Sequence, residues 1–117
     1  MSTSQDFPAL REDVLRRMGD LSQAIPDTMK GFMAMHDAAV KDGVLSAKVK
    51  ELISLGIAIA VHCEGCIAAH VYDALKHGAT REEIAETVGV AVLMGGGPAT
   101  VYGSLALRAA DQFLAQK

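Results

Sequence analysis

Three prolines and one run of three glycines divide this 117-residue chain into segments of helical length. Proline is tolerated in a first helical turn, and good helix formers follow Pro8, so a first helix is expected from Pro8 to about Leu21. Pro26 opens a second helix through Val40, with Phe32, Met35 and Ala39 available for packing and Asp42-Gly43 as its stop. Ser46 is a natural N-cap for a third, which passes through Glu51 into the apolar stretch Leu52–Cys63. That helix must turn near residues 60–64, and a fourth then runs from the cysteines to His77-Gly78, where glycine suits a C-terminal cap. Thr80 and Glu83 have capping-box spacing for a fifth helix ending near Met94. Gly95-Gly96-Gly97-Pro98 breaks the chain again, and a sixth helix extends from Pro98 to about Ala115. The expected fold is all-α, a single-domain bundle of about six helices over residues 1–117.

Two segments compete with this reading. Ile57 to Val61 alternates in the manner of a strand, and Val88 to Val92 is rich in β-branched residues. A strand leading into the Cys-x-x-Cys would suggest a thioredoxin-like unit. Pro8 and Pro26 lie upstream of the thiols, only Gly97-Pro98 follows them, and no aromatic flanks the cysteines, so the helical reading is preferred.

Half of the residues are apolar and aromatics are few, which implies closely packed helices of Ala, Leu, Ile, Val and Met, with apolar surface left for subunit contacts. The net charge of −3 and the scattered basic residues argue against nucleic acid, which demands a concentrated cationic surface. Met1–Leu10 lacks the basic end and apolar run of a secretory signal, and Leu52–Cys63 is well short of the roughly 20 residues of a membrane-spanning helix. A cytoplasmic location without membrane contact is expected. In that reducing compartment two closely spaced cysteines point to catalysis or metal binding more than to a structural staple.

On a helix Cys63, Cys66 and His70 fall within an arc of about 60°, and three residues separate the cysteine α-carbons by about 5 Å, inside the range a disulfide accepts. The pair can therefore cycle between dithiol and disulfide. His70 lies one turn beyond Cys66, placed to take its proton or stabilise its thiolate. If the third and fourth helices form a hairpin folded near residues 60 and 61, Glu51 comes level with His70 and orients it. The result is a relay from Glu51 to His70 to Cys66, the arrangement of an activated nucleophile. Lowering a thiol pKa from about 8.5 to about 6.5 raises the thiolate fraction roughly 25-fold at pH 7, but lost nucleophilicity takes back about tenfold. His70 matters more as an acid that protonates a departing oxygen or sulfur, a contribution of roughly 10² to 10⁴. Cys66, nearest His70, is the expected attacking thiol and Cys63 the resolving one. The reverse order stays open, because the first cysteine of such a pair often has the lower pKa.

These residues resemble the carboxymuconolactone decarboxylase family, specifically its alkylhydroperoxidase D-like branch. The likeness runs over the core 45–107: Ser46-Ala47-Lys48-Val49-Lys50-Glu51, then Cys63-Glu64-Gly65-Cys66, His70, Gly78-Ala79-Thr80-Arg81-Glu82-Glu83-Ile84 and the glycine break before Pro98. It implies an all-helical trimer or hexamer without a cofactor, a thiol-dependent peroxidase or disulfide reductase, with Glu51, Cys63, Cys66 and His70 in the relay positions. Its substrate would be a small hydroperoxide or disulfide, and a protein or low-molecular-weight thiol would return the electrons. Decarboxylation of a muconolactone is an alternative, although family decarboxylases generally lack the cysteine pair. Similar hydroperoxidases often carry a histidine just before the second cysteine, where this chain has Gly65.

Other readings compete at single residues. Zinc has four candidate ligands in Cys63, Cys66, His70 and either His62 or Glu51. A helical assembly module without chemistry needs none of them. His36 reads as packing beside Met33 and Met35, and His77 as a favourable charge at a helix C-terminus. Met94 and the glycines after it read as a close helix contact, since no Lys-Ser/Thr follows to make a phosphate loop.

Overall fold

A computed structural model describes residues 5–116 as six helices: α1 (Phe7–Ala24), α2 (Pro26–Val40), α3 (Ala47–Ala60), α4 (Glu64–Lys76), α5 (Arg81–Gly95) and α6 (Gly97–Leu114). No strand occurs among the described residues, and the two β-prone segments are absorbed by α3 with its C-cap and by α5.

The caps explain the boundaries. The Asp6 carboxylate accepts the Ala9 N–H at 3.0 Å and starts α1. Ser46 accepts from Val49 N–H at 3.1 Å and starts α3. Thr80 and Glu83 close a reciprocal capping box at 3.1 and 2.9 Å and start α5. Helix α1 runs one turn past the expected Leu21, because Ile25 alone separates it from α2, serving as C-cap of one and N-cap of the other. Gly96 sits at φ 68°, ψ −147°, a conformation open essentially to glycine, and this residue makes the sharp break between α5 and α6.

Leu55 and Ile59 of α3, Ile67 and Val71 of α4, and Ile84 of α5 are fully buried, with Phe7 of α1 beneath them. Alanines at 58, 68, 91, 99, 106, 109 and 110 fill the rest of this core, which lets the helices approach closely. Polar ties hold the rims: Lys48 to Glu83 at 2.9 Å joins α3 to α5, and Arg81 to Asp111 at 2.7 Å joins α5 to α6. The Gln112 side chain accepts the Phe7 N–H and donates to the Gln5 carbonyl, fixing the start of α1 against α6.

One packing expectation is corrected and another is met in part. Helix α2 buries only Met29, and Phe32, Met35 and Ala39 project outward, since α2 meets the rest of the chain through α1 and one edge of α3. Met94 itself is exposed, while the glycine after it does make the expected close contact: a Cβ added at Gly95 would stand 3.0 Å from Cβ of Ala99 on α6. A tighter approach of the same two helices is at Gly103 of α6, where an added Cβ would stand 2.5 Å from Cγ1 of Val88 on α5.

Gly103→Ala is therefore expected to destabilise the fold by about 1–3 kcal/mol through overpacking. Denaturant titration checks this, and an unchanged midpoint would rule out the close α5–α6 approach.

Candidate functional site

The site is built on the α3–α4 hairpin. Val61 caps α3, His62 takes a left-handed φ of 61°, and Cys63 is the N-cap of α4. This three-residue turn brings Glu51 level with His70, and Glu51 Oε1 lies 2.7 Å from His70 Nδ1. The Glu51 residue is only 2% exposed, in a core otherwise made of hydrocarbon. A carboxylate buried so completely requires a partner, because an unpaired buried charge costs several kcal/mol. His70 is that partner. With Nδ1 bonded to Glu51, the other ring nitrogen is left for the site.

Cys63 and Cys66 are joined as a disulfide with α-carbons 5.2 Å apart, the separation expected from the sequence. The geometry behind it differs from a continuous helix, since Cys63 has extended φ and ψ (−108°, 98°) and stands just outside α4. Its sulfur accepts the Cys66 N–H at 3.2 Å, so the helix N-terminus is directed at Cys63. Cys66 instead shares a cavity of about 240 Å³ with His70, Ser54, Ile57, Ala58 and Val61. The two sulfurs thus have different surroundings: Cys63 faces backbone dipoles, and Cys66 faces an apolar pocket with one imidazole.

His62, the neighbouring histidine, does not turn toward the sulfurs. Its ring stacks on Tyr102 of α6, with centroids 4.4 Å apart and planes at 4°. That contact helps hold a residue in a backbone region that disfavours side chains by about 1–2 kcal/mol. In this disulfide form the two sulfurs are bonded to each other, Glu51 is bonded to His70, and His62 is stacked on Tyr102. Gly65 stands where similar hydroperoxidases often carry a histidine, and an added Cβ there would approach Cγ2 of Val14 on α1 to 3.0 Å. A side chain there would require the Val14 methyl to give way by a few tenths of an ångström.

Asp73 belongs to the same cluster and was not singled out from the sequence. One of its carboxylate oxygens, one of Glu51 and a ring nitrogen of His70 all lie within 4.8 Å of one another. The signal was its position three residues beyond His70 on the same helical face. Burial, and after it the negative charge of Glu51, push the Asp73 carboxyl above the usual aspartate range, while His70, Arg11 and His36 pull it back. Arg11 of α1 reaches this region by lying 3.6 Å over the Tyr72 ring.

Six helices, with a disulfide-bonded Cys-x-x-Cys at the turn of one hairpin and a buried Glu–His pair across it, make this an all-helical protein. Residues 26–110 match the carboxymuconolactone decarboxylase family, and the chain belongs to it. The match begins at the start of α2. An uncharacterised protein of Cupriavidus necator is 42% identical over 102 residues, covering 87% of this chain and 90% of that protein. Uncharacterised protein 4 in the cox locus of Paracoccus denitrificans is 34% identical over 95 residues, covering 81% and 86%. Among solved structures, the apo form of a carboxymuconolactone decarboxylase family protein from Legionella pneumophila superposes with a TM-score of 0.89 at 42% identity, over 94% of this chain and 98% of that one. A Thermotoga maritima protein superposes with a TM-score of 0.78 at 26% identity, over 96% of each.

The direction of the Asp73 shift has a consequence for stability. A carboxyl whose folded pKa is raised contributes fully below its unfolded value of about 3.9, and that contribution is lost as pH rises through the folded value. Asp73→Asn removes the titration, so the melting temperature of the variant minus that of the parent should become more positive between pH 4 and pH 8. A difference that does not change with pH would contradict the burial of the carboxylate.

Proposed function

We propose that this protein is a thiol-dependent oxidoreductase in which the Cys63–Cys66 pair reduces small hydroperoxides or disulfides. The observation that carries the reading is Cys66 sharing an apolar pocket with His70 while that imidazole is held by the sealed Glu51 carboxylate.

In the reduced state His70 takes the Cys66 proton, giving a thiolate beside an imidazolium. The thiolate attacks the hydroperoxide, so an S–O bond forms and the O–O bond breaks. The departing alkoxide takes a proton from His70 and leaves as an alcohol, with Cys66 as a sulfenic acid. The Cys63 sulfur then attacks Cys66, forming the disulfide and releasing the hydroxyl, which leaves as water with the Cys63 proton. Two thiols and one hydroperoxide become one disulfide, one alcohol and one water. An external thiol or dithiol returns two electrons and two protons in a reducing compartment, which fits a cytoplasmic protein. Cys66 is assigned the attack because it lines the pocket with His70. Cys63 resolves from the helix N-cap, and it is not among the residues that line that pocket.

The same reading includes self-association, as the trimer or hexamer that the family resemblance implies. Leu93 and Met94 are each 80% exposed, and Val90 and Val101 are 63% exposed. An apolar groove of about 450 Å³ between α3 and α5, lined by Ile53, Gly56, Ile57, Val90 and Met94 among others, adjoins the Cys66 pocket through the shared Ile57. A second copy of the chain is its natural occupant, since exposed apolar patches of this kind mark association surfaces. The Val90→Glu variant is expected to sediment as a monomer under conditions where the parent is a trimer or hexamer. A parent that is itself monomeric at all concentrations would overturn the assembly reading.

The redox test is direct. Reduced protein given one equivalent of an alkyl hydroperoxide should lose two thiols and gain the Cys63–Cys66 bond by mass spectrometry. Cys66→Ser should abolish the rapid phase. His70→Asn keeps a donor for Glu51 but removes the titratable ring, and it should slow the reaction about 10²-fold or more. Thiols that stay reduced in the parent protein would sink the proposal.

A further inference from the structure

Helix α3 presents side chains to two different spaces. Ile53 and Gly56 line the groove shared with α5, and Ser54, Ala58 and Val61 line the Cys66 pocket. Ile57 lies between these two sides, one turn from Ile53 and one turn from Val61, about 40° around the helix axis from each. Among the described residues it is the one that borders both spaces. Its side chain therefore forms the wall between a pocket of about 240 Å³ and a groove of about 450 Å³. The wall belongs to the same chain as the pocket, so it stands whether or not a second copy covers the groove.

Inside the pocket, Ile57, Ala58 and Val61 offer only hydrocarbon. The Ser54 hydroxyl donates to the Lys50 carbonyl at 3.0 Å, so its proton is held within α3. Cys66 and His70 are the groups that the reaction uses, and Nδ1 of His70 is engaged by Glu51. What is left for the non-reacting part of a substrate is apolar surface, which stabilises a hydrocarbon group and leaves a polar one without partners. At about 240 Å³ the space falls below the roughly 300 Å³ at which pockets for drug-sized molecules begin, so the group it accepts is small.

Resting on the redox reading above, we propose that Ile57 is a specificity-determining residue that limits the Cys66 pocket to hydroperoxides whose organic group is a compact, uncharged hydrocarbon. The bonds made and broken are those of the reaction above, and Ile57 sets only which substrate reaches Cys66. Hydrogen peroxide brings no group to cover the apolar surface, and a branched aromatic group meets the Ile57 side chain.

Second-order rate constants on the reduced protein test this, each divided by the constant for the same reagent with free cysteine so that intrinsic reactivity cancels. tert-Butyl hydroperoxide should exceed both hydrogen peroxide and cumene hydroperoxide by about tenfold or more, the lower end of what the fit of one methylene is worth in an apolar pocket. Ile57→Ala should raise the constant for cumene hydroperoxide about tenfold. Ile57 is 58% exposed, so its truncation spares the core, and a gain on one substrate does not arise from unfolding. Ile53→Ala, on the groove side alone, should leave the ratio of tert-butyl to cumene hydroperoxide unchanged. Alkylation mapped to Cys66 by mass spectrometry reads the pocket without peroxide chemistry: Ile57→Ala should speed N-benzyl iodoacetamide relative to iodoacetamide by a similar factor. A parent protein that favours hydrogen peroxide or cumene hydroperoxide overturns the inference, as does a ratio that is the same in the parent and in Ile57→Ala, and both leave the redox reading standing. An equal change in Ile53→Ala also overturns it, by placing the selection in the groove. A protein that shows the alkylation pattern but is oxidised by none of the three hydroperoxides overturns the redox reading, and the substrate assignment with it.

Discussion

A carboxylate in the middle of a helical bundle is tolerated only where something meets it, and the meeting of Glu51 with His70 at 2.7 Å governs the rest of this molecule. The bond crosses between α3 and α4, so it fixes the register of the hairpin as well as the charge of the site. To bring the two side chains level, the chain must reverse within Val61-His62-Cys63. That short reversal places a non-glycine residue in left-handed backbone, steadied by the stack of His62 on Tyr102. It also leaves Cys63 as the N-cap of α4, within reach of Cys66. The disulfide, the pocket and the orientation of the imidazole are thus consequences of one buried pair and the turn that accommodates it.

Helix boundaries were legible because capping is local chemistry. Ser46 and the Thr80–Glu83 box sit within four residues of the groups they satisfy, so spacing alone reveals them. The pairing of Glu51 with His70 was legible one step further, through the assumption of a hairpin fold near residue 60. Asp73 was not singled out, although it shares a helical face with His70, because an aspartate at that spacing on a helix is ordinarily solvated. Its burial depends on how α1 packs beside α4, and sequence periodicity carries no record of that. The outward face of α2 was illegible for the same reason: Phe32 and Met35 have the chemistry of core residues, and only the placement of α2 at the margin of the bundle exposes them.

Stability and chemistry oppose each other around the hairpin. The core is built of small alanines and branched aliphatics that need no polar partners. Into it the chain inserts a sealed glutamate and, beside it, an aspartate whose burial and negative neighbour both disfavour its charge. An apolar pair at these positions would pack with less desolvation cost, as buried ionic groups often can be replaced without loss. These costly groups stand on α3 and α4, the two helices whose connection carries the cysteine pair.

The glycine at position 65 fits into the same account. Helix α1 passes near enough there that an added Cβ would stand 3.0 Å from a methyl of Val14. The same helix lays Arg11 across Tyr72 and toward Asp73. Close approach of α1 thus narrows the space beside Gly65 and at the same time brings a cation toward the half-buried Asp73 carboxylate, so one helix shapes both flanks of the hairpin site.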